Sequence, residues 1–232
     1  MHEGVFLWDS FCGGVTLYIL FYSFTLTDSP LFVQNYNYDQ AEKYFDVVLR
    51  CQRRHHGPFH GDVAAALHNC GLAQLRLENH HQAIQSFEEA ARIRKGALGK
   101  QHPQVAASLV KCGITYLLLH RFDDSLRCLR EALAIRRHSL GALHPSTARI
   151  MNNIGCVHVE FKELHEARRA FEGALDIQRN ALCHDPESGP IRFGAATTLC
   201  NLGYLYRHRD MHERAVQVLR EAAEVSLARI TS

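Results

Sequence analysis

The segment 98–113, LGKQHPQVAASLVKCG, returns as 140–155, LGALHPSTARIMNNIG. The pairs His102-Pro103 and His144-Pro145 set the interval, 144 − 102 = 42, and one step back lands on His60. Gly71, Gly113 and Gly155 keep the same interval. Gly203 follows Gly155 by 203 − 155 = 48, so the last interval carries six extra residues. The stretch 183–190, CHDPESGP, supplies a place for them. A fixed period of this size marks a chain built from stacked copies of one supersecondary unit.

Working outward from the glycines, four more columns align. Twelve residues on stand Ala83, Ser125, Ala167 and Ala215; four further come Phe87, Leu129, Phe171 and Leu219; three beyond lie Ala90, Ala132, Ala174 and Ala222. Four residues before each glycine stand Leu67, Leu109, Met151 and Leu199. The spacing predicts two helices per unit, over about 63–77 and 81–95 in the first full one, with apolar residues at helical period. Gly71 and Ala83 let the paired helices approach, and Phe87 fills the space between them. Leu98-Gly99 and Leu140-Gly141 end second helices, Pro103 and Pro145 suit first turns, and Asp62 and Ser146 read as helix-start residues. A lone hairpin cannot bury its apolar face, so the units must stack. The predicted fold is all-α, a right-handed superhelical solenoid of antiparallel helix hairpins. Its units are 60–101, 102–143, 144–191 with the longer loop, and 192–232. The stretch 39–59 is a half unit, because Ala41 and Phe45 sit 42 residues before Ala83 and Phe87.

These columns resemble the tetratricopeptide repeat. The 42-residue unit and the strings ALGKQHPQVAASL (97–109), EALAIRRHSLG (131–141) and SLGALHPSTARIMNNIG (139–155) are similar to the kinesin light chain-like subfamily of those repeats. The resemblance covers 39–232. It implies a protein–protein interaction scaffold, an adaptor or cargo-binding module that holds partner peptides in a concave groove lined by the first helices. Short acidic peptides bearing an aromatic residue are the partner class it implies.

Residues 1–38 are of another kind. They contain no Lys or Arg, ten of the 21 aromatic residues, and an uncharged run from Phe11 to Thr27. That run is close to the lower limit for a membrane span, but a divergent lead-in is the preferred reading. Pro30 would fall inside the first helix of the half unit, so that helix does not fit there. Both ends of the array look like cuts through a longer one, or like surfaces for another subunit. The alternative function is therefore a self-associating assembly subunit. The formal charge of +2 is too near neutral for a nucleic-acid binder that works by bulk electrostatics. The eight cysteines form no C-x-x-C pair, and most lie in apolar helical patterns, which points to a reducing, cytoplasmic setting.

Two residues before each glycine stand Asn69, Lys111, Asn153 and Asn201. Asparagine is a poor helix former, so its recurrence at one helical position asks for another reason. An amide can both donate to and accept from the backbone of an extended peptide. The resemblance implies the same column, with Lys111 as its one departure. Asn152, Arg149 and Tyr204 are expected on the same groove surface, and Arg76 adds charge to it. Against this stands the alternative that the amides bond only between adjacent helices.

Other patterns carry no chemistry. His208 and His212 have a zinc spacing but fall across a turn and lack a third ligand nearby in sequence. His208-Arg209-Asp210 spells a kinase tripeptide without its phosphate loop, and GALGK (96–100) is too short for a phosphate-binding loop. The cations Arg92, Arg94, Lys95, Arg136 and Arg137 suit the ends of second helices, where they complement the dipole and stay solvated. The sequence thus predicts no catalytic residue, cofactor or metal.

Overall fold

The protein is described by a computed structural model over residues 38–227. The expectations for 1–38 lie outside those residues, Tyr38 excepted. Nine helices follow one another among the described residues: α1 Tyr38–His56, α2 Gly61–Arg76, α3 His80–Leu98, α4 Pro103–Leu118, α5 Phe122–Leu140, α6 Pro145–Glu160, α7 Leu164–His184, α8 Gly189–Arg207 and α9 His212–Leu227. The even-numbered helices are the first members of the hairpins (A helices). The odd-numbered ones are the second members (B helices), with α1 as the B helix of the half unit. Each helix packs on the next, and α4, α6 and α8 also touch in succession. Direct contact between A helices is what results when they take the inside of the curve.

The glycine column is the seam of each hairpin. A Cβ built on Gly71 would lie 2.7 Å from Phe87 Cε1, on Gly113 2.7 Å from Leu129 Cγ, on Gly155 2.5 Å from Phe171 Cε1 and on Gly203 2.8 Å from Leu219 Cδ2. No real methyl fits at such distances. Phe87 and Phe171 are 0 % exposed and Leu129 is 1 %, so their side chains have nowhere to retreat.

Asp62 and Ser146 lie in the first turns, as the sequence reading has them, and the caps before them are histidines. His60, His102 and His144 are the N-caps, each extended and each accepting an amide through its ring Nδ1. The donors are the backbone N–H groups of Asp62, Gln104 and Ser146, at 3.3, 3.2 and 3.1 Å. Asp62 and Ser146 therefore sit inside the first turn and are the capped residues. Imidazole Nδ1 offers a lone pair at about the reach of an Asn or Asp oxygen, which explains the substitution. Helix α3 runs to Leu98 and Gly99 stops it at φ +90°, the end that Leu98-Gly99 marks in the sequence.

Inside each hairpin a non-glycine residue adopts the left-handed conformation: Glu78, His120, Lys162 and Asp210, with φ between 55° and 64°. The following amide reaches back to the helix, as in Asn79 N–H to Gln74 O at 2.9 Å and Glu163 N–H to His158 O at 2.8 Å. This is a Schellman closure, which usually employs glycine.

The six extra residues of the third interval do not form a longer loop. The connection from α7 to α8, like those before α4 and α6, spans four residues. Helix α7 has 21 residues where α3 and α5 have 19, and it absorbs two of the six. The other four lengthen the front of α8. Gly203 lies 203 − 189 = 14 residues from its start, against 155 − 145 = 10 for Gly155 in α6.

Candidate functional site

The layer just before the seam holds the predicted groove residues. Asn69 is half-buried, whereas Lys111 and Asn153 are each 7 % exposed and Asn201 is 3 %. Asn152 is buried beside them, and Arg149 and Tyr204 are half-buried. The column is deeper than a free groove floor because consecutive A helices close over it. Its last rung does what the alternative foresaw. The Asn201 Nδ2 amide donates to Asn152 Oδ1 at 3.1 Å and approaches Cys156 Sγ at 3.6 Å. That amide bond links α6 to α8.

The first rungs use other chemistry in the same layer. Arg94 of α3 does not stay in solvent as expected: it is 7 % exposed and crosses to α4, donating to Gln104 O at 3.1 Å and to Ser108 Oγ at 2.7 Å. Ser108 Oγ in turn lies 3.5 Å from His68 Nδ1. Burial, with the charges of Arg94 and Lys111, holds the His68 ring down at about 3, so it stays neutral. Lys111 is pulled down to about 8, by burial first and then by Arg149 and Arg76. Those two arginines belong to the A helices on either side of it. Half-buried Arg136 is shifted down as well, by burial and by Arg149. Cations from the A helices on either side thus act on one buried ammonium.

A cleft of about 200 Å³ opens beside this cluster, lined by His144, Pro145, Arg149, Gln178, Pro190 and Ile191 among others. Gln178 takes the column position of Arg94 and Arg136. It is 2 % exposed, and its Oε1 makes no hydrogen bond. The sequence reading missed this residue. Its signal is a break in a column, Arg94, Arg136, Gln178, at the one interval that also carries the insertion.

The remaining motifs stay apart. His208 follows the end of α8 and His212 opens α9, with Asp210 in the left-handed turn between them. Cys70, Cys112, Cys128 and Cys156 are buried, and burial pushes all four thiols up, Cys70 and Cys128 to about 11. Such thiols are packing groups. No helix among the described residues is long and apolar enough to cross a membrane.

Comparison with known proteins places this geometry. No curated protein matches the chain. Among solved structures, BtubC (BKLC) from P. vanneervenii superposes with a TM-score of 0.76 at 18 % identity, over 87 % of this chain and 78 % of that one. The nearly identical TPR-like repeats of a Podosopora anserina kinesin light chain candidate give 0.71 at 17 % identity, over 94 % and 95 %. MamA from Desulfovibrio magneticus RS-1 gives 0.59 at 17 % identity, over 92 % and 96 %. At these identities the likeness is one of fold. The tetratricopeptide repeat family itself matches residues 34–96, 75–138, 104–180 and 195–227, well over half of the chain. The protein belongs to the tetratricopeptide repeat family.

Proposed function

We propose that the protein is a binding scaffold, not an enzyme, and that it receives acidic segments of partner proteins along the inner face of its A helices. Repeat proteins of this family generally mediate protein–protein interactions, which is the coarse part of the reading. The finer part rests on one observation. Arg76, Lys111 and Arg149 come from three consecutive A helices, yet lie close enough for the arginines to depress Lys111. A surface with three cations on consecutive A helices attracts a carboxylate-bearing guest. Half-buried Asn69 stands on the same column and offers an amide for backbone contacts, and half-buried Tyr204 offers an aromatic surface beside Arg207, whose guanidinium lies 5.6 Å from the ring centroid. An adaptor working in the cytoplasm is the setting this reading suggests.

Fluorescence anisotropy with labelled peptides that carry several carboxylates and one aromatic residue tests it. Lys111→Met with Arg149→Gln should weaken binding at least about tenfold, or about 1.4 kcal/mol, and binding to the wild type should weaken with added salt. Unchanged affinity in the double variant, with the helical circular dichroism signal intact, would sink the assignment.

A second reading, self-association, has one observation in its favour. Leu219 is 46 % exposed, although its column mates Phe87, Leu129 and Phe171 are at most 1 % exposed. Light scattering over a concentration series separates the two readings, since a strict monomer throughout removes the second.

A further inference from the structure

The corner between the half unit and the first full unit carries metal-ligating side chains at two positions where the next two corners carry none. His56 stands where the later units carry Leu98 and Leu140, and Asp62 where they carry Gln104 and Ser146. Between them lies His60, shared with the His102 and His144 column. In the structure these three come together at the corner where α1 hands over to α2. One ligand atom from each lies within 4.8 Å of the others. His60 Nδ1 is 3.4 Å and His56 Nε2 is 3.9 Å from Asp62 Oδ2. The two imidazoles stack, with centroids 4.6 Å apart and planes at 20°.

Tetrahedral zinc with bonds of about 2.0–2.2 Å to nitrogen and oxygen needs donor atoms separated by about 3.4 Å. The His60–Asp62 separation meets that value, and the His56–Asp62 separation requires a small rotation of an exposed side chain. The backbone of the corner is fixed, but His60 Nδ1 has one lone pair, which caps Asp62 N–H in the metal-free chain and passes to zinc on binding. Gly57, at φ +82°, donates to Arg53 O at 3.1 Å, and the amides of Val63 and Ala64 both reach His60 O. Two imidazoles and a carboxylate make a borderline donor set that favours Zn²⁺ over Mg²⁺ or Ca²⁺. A cation here sits near the N-terminus of α2, where the helix dipole opposes it, and the Asp62 carboxylate offsets that cost.

We propose that His56, His60 and Asp62 form a zinc site that ties the half unit to the first full unit, with its remaining coordination open to water or to a donor from a partner. The equivalent corners of the later units lack two of the three ligands and bind nothing.

Titration of the full chain with Zn²⁺ against a chromophoric chelator tests the site. One equivalent should bind ahead of any weaker histidine sites, and zinc should raise Tm. His56→Gln and Asp62→Asn should each lose at least about tenfold in affinity. His60→Asn keeps a good N-cap while removing the imidazole, so it should lose zinc with little change in the metal-free Tm. His102→Asn alters only a cap and should bind as the wild type does. Absence of a one-equivalent site in the wild type, or equal losses in His60→Asn and His102→Asn, overturns the proposal.

Discussion

The seam and the layer beside it lie two residues apart on every A helix and behave as opposites. At the seam, Gly71, Gly113, Gly155 and Gly203 meet Phe87, Leu129, Phe171 and Leu219 in one geometry repeated four times. Two residues earlier the rungs diverge, with a half-buried Asn69, a depressed Lys111 and an Asn201 tied to Asn152. The seam varies only between Phe and Leu because a glycine backbone pressed against a large apolar side chain leaves little volume to vary. The layer beside it is polar and bordered by side chains from two rungs, so different partners satisfy it at different steps. Repetition therefore marks what holds the array together, and variation marks what the array can be used for.

Breaking the seam should cost most. Phe171→Ala empties a site that is 0 % exposed and should lower stability by about 3–5 kcal/mol in chemical denaturation. A change near zero would mean that the seam is not the main support. Breaking the amide link comes next. Asn201→Ala strands Asn152 Oδ1 and should cost about 1–3 kcal/mol, and adding Asn152→Ala should recover part of it. Full additivity of the two substitutions would show that the bond carries nothing.

The smallest effect should be a pH-dependent one at Lys111. The unfolded chain keeps that proton up to about the ordinary lysine value of 10.5, while the folded chain releases it near 8. Between those values the unfolded state holds more protons, so this group makes stability rise with pH. The buried thiols and Tyr116 shift upward and act in the opposite sense, so the reading must be differential. Lys111→Met should be the more stable protein below pH 8, and its advantage should shrink as pH rises from 8 to 10.5. A pH-independent difference would place the lysine in solvent.

The seam was legible in the sequence because its columns are residues that sterics leave little choice about. The half unit was legible for the same reason, with Phe45 only 3 % exposed against Cys70 and Ala73. The caps were not, since histidine serves many purposes and only the backbone at His60, His102 and His144 shows which one applies here. The polar layer was half legible. Its positions follow from the period, but whether an amide faces a guest or a neighbouring helix depends on how far adjacent A helices close. No single-chain pattern encodes that distance. Gln178 became visible only once Arg94 was seen spanning to α4.

The lengthened front of α8 has a consequence for position along the array. Four residues add about 6 Å of helix and little more than a full turn, so Gly203 keeps its phase while Pro190 and Ile191 overhang the neighbouring start. A staircase of equal steps gives a visitor no means of knowing which step it has reached. One tread that juts out turns a periodic surface into one with an address.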